Sequence, residues 1–192
     1  MDAAPIRKRL KRRDVPGGIR FITFSCQRRL PLLTNPAISE LLLTAIARAR
    51  SVHQFELVAW VLMPEHVHLL MRPRDDIPLE RTLKSIKLAV SKSVIARWRN
   101  IGATHILTKL DDGTGSPRFW QKGGGFDRNV RDEHELSREI RYIHHNPVRR
   151  GLVQRPEDYR FSSIHWWIGD HTGPLNCDPL PDPAWSQWKG FA

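Results

Sequence analysis

The stretch FELVAWVLMPEHVHLLM, residues 55–71, decides how this chain is read. Phe55–Met63 is an apolar run of strand length, Pro64-Glu65 breaks it, and His66–Met71 follows as a second run. Apolar runs of this length bounded by breakers read as buried strands, so the pair predicts an antiparallel hairpin. Side chains alternate along a strand. His66 and His68 therefore project from one face, about 6–7 Å apart, while Val67, Leu69 and Met71 point to the other. Two imidazoles so placed can converge on one cation, or they can simply be packed and hydrogen-bonded. The His-Val-His string does not decide between these.

Outward from the hairpin the element types alternate. Ile19–Cys26 is β-branched, aromatic and alternating, and predicts a strand. Asn35-Pro36 reads as an N-cap with proline at the first helical position, followed by the stripe Ile38, Leu41, Leu42, Ala45 and Ala49. A second helix is predicted from about Pro78 to Asn100, with Leu79, Leu83, Ile86, Val90 and Val94 on one side. Arg81, Lys84, Lys87 and Ser91 recur on another face, which can track phosphates or simply be solvated. Asp111–Pro117 and Gly123–Gly125 are breaker-rich loops. The glycines permit either a shift of the following helix or an ordinary surface turn. Asp132 with Glu135 predicts a capped helix from Glu133 with the stripe Leu136, Ile140 and Ile143, ended by Pro147. The expected organisation is a basic arm over 1–18, one domain over 19–165, and an irregular Trp- and Pro-containing tail over 166–192.

The chain has 192 residues, 40% apolar and 27% charged, a globular composition for one ordinary domain. No apolar run approaches the roughly 20 residues that span a bilayer, and no apolar segment follows the basic N-terminus as in a secretory signal. Cys26 and Cys177 make neither a disulfide framework nor a metal cluster, so a reducing, cytoplasmic and nucleoid-associated setting is expected. With 31 Lys+Arg against 20 Asp+Glu the net charge is +11, which predicts a polyanionic partner. The surplus lies in residues 1–29 and 72–99, while the last 32 residues hold Lys189 against Asp170, Asp178 and Asp182.

The second informative string is YIHHNPVRRGLV, residues 142–153. Tyr142 lies off the apolar stripe, and Asn146 sits one turn further on its face. Tyr142 can be a half-buried structural tyrosine and Asn146 a helix cap. The chain has only two tyrosines, however, so any tyrosine chemistry belongs to Tyr142 or Tyr159. A phenol with an ordinary pKa near 10 attacks a phosphodiester only with help from a cation or a base. Two histidines, an amide and a tyrosine supply those parts.

The string MPEHVHLL (63–70) resembles the histidine–hydrophobic–histidine (HUH) motif of the small single-tyrosine transposases. Phe119-Trp120-Gln121, residues 142–153, Pro156, Tyr159 and Ser162-Ser163 resemble the REP-associated branch of that family. The resemblance covers about 12–163. It implies an α+β fold with a ferredoxin-like antiparallel sheet and packed helices. It also implies Tyr142 as nucleophile, His66 and His68 as ligands of Mg²⁺ or Mn²⁺, and single-stranded hairpin DNA as substrate. Asn146 stands where related enzymes carry a glutamine ligand, one methylene longer. Two imidazoles favour Zn²⁺ or Mn²⁺ over Mg²⁺, and Mn²⁺ satisfies both this preference and the resemblance. Arg12, Arg13, Arg81, Lys84, Lys87, Arg149 and Arg150 are the expected DNA contacts, with Trp98 or Trp120 available to stack on an unpaired base. A non-cleaving hairpin binder, a hydrolase using water and a replication initiator are rival readings. Monomer and homodimer both stay open.

Overall fold

The computed structural model describes residues 15–123 and 125–180; Arg12 and Arg13, on which part of the DNA contact was expected, lie outside them. The elements run β1 (Arg20–Ser25), α1 (Pro36–His53), β2 (Glu56–Met63), β3 (His66–Arg72), α2 (Leu79–Asn100), α3 (Thr104–Leu110), β4 (Phe126–Asn129), α4 (Glu133–Arg149) and α5 (Ile164–Trp167). The strands form one antiparallel sheet in the order β2-β3-β1-β4. With helices after β1 and β3, this is the ferredoxin-like arrangement, and α4 is added after it.

The expected hairpin, caps and stripes are present. Asn35 accepts from the Ala37 amide at 3.0 Å and Asp132 from the Glu135 amide at 2.7 Å, so both caps satisfy a donor that the helix itself leaves unpaired. Strand alternation then assigns the two sheet faces. Ile22, Phe24, Trp60, Val67, Leu69 and Met71 face α1 and α2. Phe21, Val61, Met63 and Leu70 face α4 and its stripe Leu136, Ile140 and Ile143. A bulge between Leu57 and Ala59 turns both Val58 and Ala59 toward α4. The two histidines sit on this α4 face.

Three features depart from the sequence reading. Pro147 does not end α4: the helix continues to Arg149 with Pro147 buried inside it. A proline removes one intrahelical bond, at a cost of about 3 kcal/mol. Burial of the Leu136/Ile140/Ile143 stripe, at roughly 1.5–3 kcal/mol per side chain, outweighs that cost. The Pro147 carbonyl still accepts from the Leu152 amide at 2.9 Å. Strand β4 and helix α3 are elements that the residue pattern does not announce. β4 is four residues long, between loop glycines and the α4 cap, and too short to show a period.

Residues 175–180 pack along β2. The Asp178 carboxylate accepts from the Leu57 amide at 2.7 Å and pairs with Arg50, the Leu175 carbonyl accepts from the Trp60 indole at 3.0 Å, and Cys177 is buried. No helix among the described residues is long and apolar enough to cross a membrane.

Candidate active site

The register of β1 against β3 places Thr23 opposite His68 and Ser25 opposite His66. Both imidazoles are buried, and their Nε2 atoms face each other at 2.9 Å. The opposite ring nitrogens are held from behind. Thr23 Oγ1 lies 2.7 Å from His68 Nδ1, and Glu65 Oε1 lies 3.1 Å from His66 Nδ1. If each Nδ1 carries the proton and donates it to these oxygens, both Nε2 lone pairs point at one spot. Burial, the neighbouring His66 and Arg29 push His68 down to about 3, and burial likewise lowers His66 against the raising effect of Glu65. Both rings are therefore neutral near pH 7, the form in which imidazole binds a metal.

Helix α4 completes the constellation. The Asn146 side-chain amide lies 3.1 Å from His68 Nε2, so Asn146 joins the histidines and does not cap the helix. Rotation of the amide, whose oxygen and nitrogen are interchangeable in shape, presents Oδ1 to the same spot. One turn earlier, the half-buried Tyr142 ring packs edge-on to His68 at 5.5 Å between centroids and to Phe21 at 6.0 Å. The exposed Arg149 guanidinium stands 5.6 Å from the Tyr142 ring centre. Two lone pairs opposed at 2.9 Å repel unless a proton or cation lies between them, and the Asn146 amide oxygen, turned toward them, would offer a third donor. The donor set fits a divalent cation.

Tyr159 has a different setting. Its hydroxyl donates to the Leu62 carbonyl at 2.8 Å, and burial, with the Glu65 charge, pushes it up to about 12. That phenol is committed to holding the chain after α4 onto β2.

Glu65 links the parts. Its Oε1 accepts from Arg29 at 3.0 Å and from Arg150 at 2.9 Å in addition to facing His66. Burial alone would raise the carboxyl, but the hydrogen bonds from Arg150 and Arg29 and the charge of His66 hold it below its ordinary value. Sequence reasoning missed Glu65 and Thr23. Glu65 directly precedes the motif and was open to notice, whereas Thr23 needs the strand register.

The expected basic residues fall into separate places. Arg150 is tied to Glu65, and Arg149 stands by Tyr142. Arg81 and Lys84 are exposed on α2, which packs on the sheet face opposite the histidines. The Lys87 ammonium lies 5.0 Å from the Phe24 ring centre. Trp120 is buried, edge-on to Phe24, and its indole donates to the Lys87 carbonyl at 3.0 Å, so it is no stacking platform. Trp98 is half-buried and stacked on Phe119.

A ferredoxin-like sheet presenting paired histidines to a helix-borne tyrosine defines a class, and the chain belongs to it: the family described as "Transposase IS200 like" matches residues 19–146, from the start of the sheet to Asn146. The chain is thus a transposase by family, a DNA-cleaving enzyme. It is similar to the REP-associated tyrosine transposase of Escherichia coli K12, 28% identical over 174 residues that cover 84% of this chain and 92% of that one. A Haemophilus influenzae protein assigned to the same branch is 28% identical over 173 residues, covering 89% and 94%. The resemblance carried by residues 63–70 and 142–153 is borne out by these relatives. The fold matches a REP-associated tyrosine transposase solved with a REP hairpin, with a TM-score of 0.63, 24% identity, and 90% and 92% of the two chains covered.

Proposed function

We propose that the protein cleaves and rejoins single-stranded DNA that folds into REP-like hairpins, through a 5′-phosphotyrosine formed on Tyr142. The observation that carries this reading is the convergence of His66 Nε2, His68 Nε2 and the Asn146 amide beside the Tyr142 ring. The solved neighbour, bound to a REP hairpin, supports the choice of substrate.

His66, His68 and Asn146 would hold a divalent cation, Mg²⁺ or Mn²⁺, which when bound supplies charge neutralisation at the scissile phosphate. In the reaction a bond forms between the Tyr142 phenolic oxygen and phosphorus, and the bond from phosphorus to the 3′ oxygen breaks. The phenol loses its proton and the departing 3′ oxygen gains one, by way of solvent. A phosphodiester replaces a phosphodiester, so a second 3′-OH can reverse the step and join strands without ATP. Thr23 and Glu65 keep the imidazoles oriented, and Arg149 offers a cation to the phosphate beside the ring.

Incubation with an end-labelled single-stranded hairpin oligonucleotide and Mn²⁺ tests the reading. A protein–DNA species that survives denaturing electrophoresis is the expected result. Free cleaved ends without it would indicate a hydrolase using water, and a mobility shift without cutting would indicate a binder. Either outcome overturns the proposal.

A further inference from the structure

The edge of β1 is shared by two separate pieces of chain. Phe126–Asn129 pairs with Arg20–Thr23, while the Gln27 amide donates to the Phe119 carbonyl at 2.8 Å and the Gln121 amide to the Ser25 carbonyl at 2.9 Å. A polar cleft of about 470 Å³ lies beside this edge, and its walls include Thr23, Ser25, Arg29, Lys87 and Lys122. Two of its wall residues belong to the support of the histidines, since Thr23 contacts His68 and Arg29 contacts Glu65. Lys87, Gln121, Lys122 and Gly123 also line a second cavity of about 470 Å³ between α2 and 117–123. The two spaces therefore adjoin at the sheet edge, where these four residues line both.

The outer cavity has a distinctive chemistry. Leu83, Leu88, Ile95 and Phe119 give it an apolar wall, and Leu88 is 44% exposed although it is a leucine. Lys84, Lys87, Arg118 and Lys122 stand at its rim with Glu80. Arg118 is paired with Asp112, while Lys84, Lys87 and Lys122 have no acidic partner among the described residues. An apolar slot ringed by unneutralised ammonium groups matches a flat apolar ring carrying a phosphate.

We propose that this cavity is a binding site for one unpaired nucleotide of the substrate strand, its phosphate on Lys84, Lys87 and Lys122 and its base against Leu88 and Ile95. The proposal rests on the DNA-cleaving reading above and adds a place for an unpaired nucleotide beside the sheet edge. It also gives a use to the basic face of α2, which is otherwise on the wrong side of the sheet. A neutral or basic peptide is disfavoured because the rim is nearly all cationic.

Binding can be measured without cutting, on the Tyr142→Phe protein, by fluorescence anisotropy. Three labelled probes serve: a bare hairpin, the same hairpin with a short single-stranded flank on each end, and that flanked hairpin with abasic flanks. The flanks are expected to tighten binding about tenfold, the order of one sequestered base, and abasic flanks to lose most of that gain. Leu88→Trp, an exposed substitution that fills the slot, is expected to erase the flank-dependent gain, and Lys84→Ala with Lys122→Ala to lower the salt dependence of flanked binding. Equal binding of natural and abasic flanks, or a gain that survives Leu88→Trp in a protein with unchanged circular dichroism, would overturn the site. Flank-dependent binding without a covalent adduct in the wild type would overturn the tyrosine reaction and leave the cavity standing.

Discussion

The Glu65 carboxylate accepts a hydrogen bond from the Arg150 guanidinium at 2.9 Å, and this contact joins the turn before the histidine strand to the end of the helix that carries Tyr142. The same oxygen faces His66 Nδ1 at 3.1 Å. One buried anion therefore orients a proposed metal ligand and fixes the distance between strand and helix. Glu65→Gln keeps the size and an acceptor oxygen but loses the charge. The expected result is a folded protein whose Mn²⁺ affinity, measured by calorimetry, falls about 10–100-fold, the usual effect of removing such a supporting carboxylate. Unchanged Mn²⁺ affinity would mean that Glu65 serves only packing.

Gly125 lies where β4 begins, with φ +79°, and a Cβ there would sit 2.0 Å from the Thr23 carbonyl oxygen. The glycine is demanded by close approach of two backbones, next to the residue that holds His68. Gly125→Ala is expected to lower stability by about 2 kcal/mol and to weaken the β1–β4 edge. Gly123→Ala meets no atom within 4 Å and bears backbone strain alone, so its loss should be smaller. Thermal unfolding of the two variants side by side checks the ranking, and equal melting temperatures would contradict it.

The hairpin, both caps and the face that holds the histidines were legible because each depends on local pattern: apolar runs, Asn35-Pro36, Asp132 with Glu135, and the two-residue period of His66 and His68. Tyr142 and Asn146 were legible as a one-turn pair. What was not legible depends on contacts between distant residues. Thr23 meets His68 only through strand register, Gln121 and Phe126 share one strand edge across a loop, and Trp120 turns inward because its indole finds the Lys87 carbonyl. Pro147 stayed in the helix because tertiary burial of the stripe overrode a local rule. Charge in α2 was read correctly as a face, but its position relative to the sheet required the fold.

Tyr159 titrates above the ordinary tyrosine value near 10 because burial and the Glu65 charge both disfavour the phenolate. A raised folded value favours the protonated form. The stability it contributes is complete below about pH 10 and is lost as pH rises toward the folded value of about 12. Absorbance titration at alkaline pH should show a tyrosinate step near 12 that Tyr159→Phe removes. A Tyr159 step at the ordinary value would contradict that burial beside Glu65.

Chelation tests the cation. EDTA is expected to abolish cleavage of the hairpin oligonucleotide and added Mn²⁺ to restore it, while His68→Ala should not be restored by Mn²⁺ at the concentration that rescues the wild type. Full cleavage in chelator would remove the metal from the account.

The most direct test is on the nucleophile. Tyr142→Phe deletes one oxygen and leaves the ring against His68 and Phe21, so the protein should still bind hairpin DNA. On a denaturing gel the account predicts no covalent adduct from Tyr142→Phe and a normal adduct from Tyr159→Phe. An adduct that persists in Tyr142→Phe would contradict it.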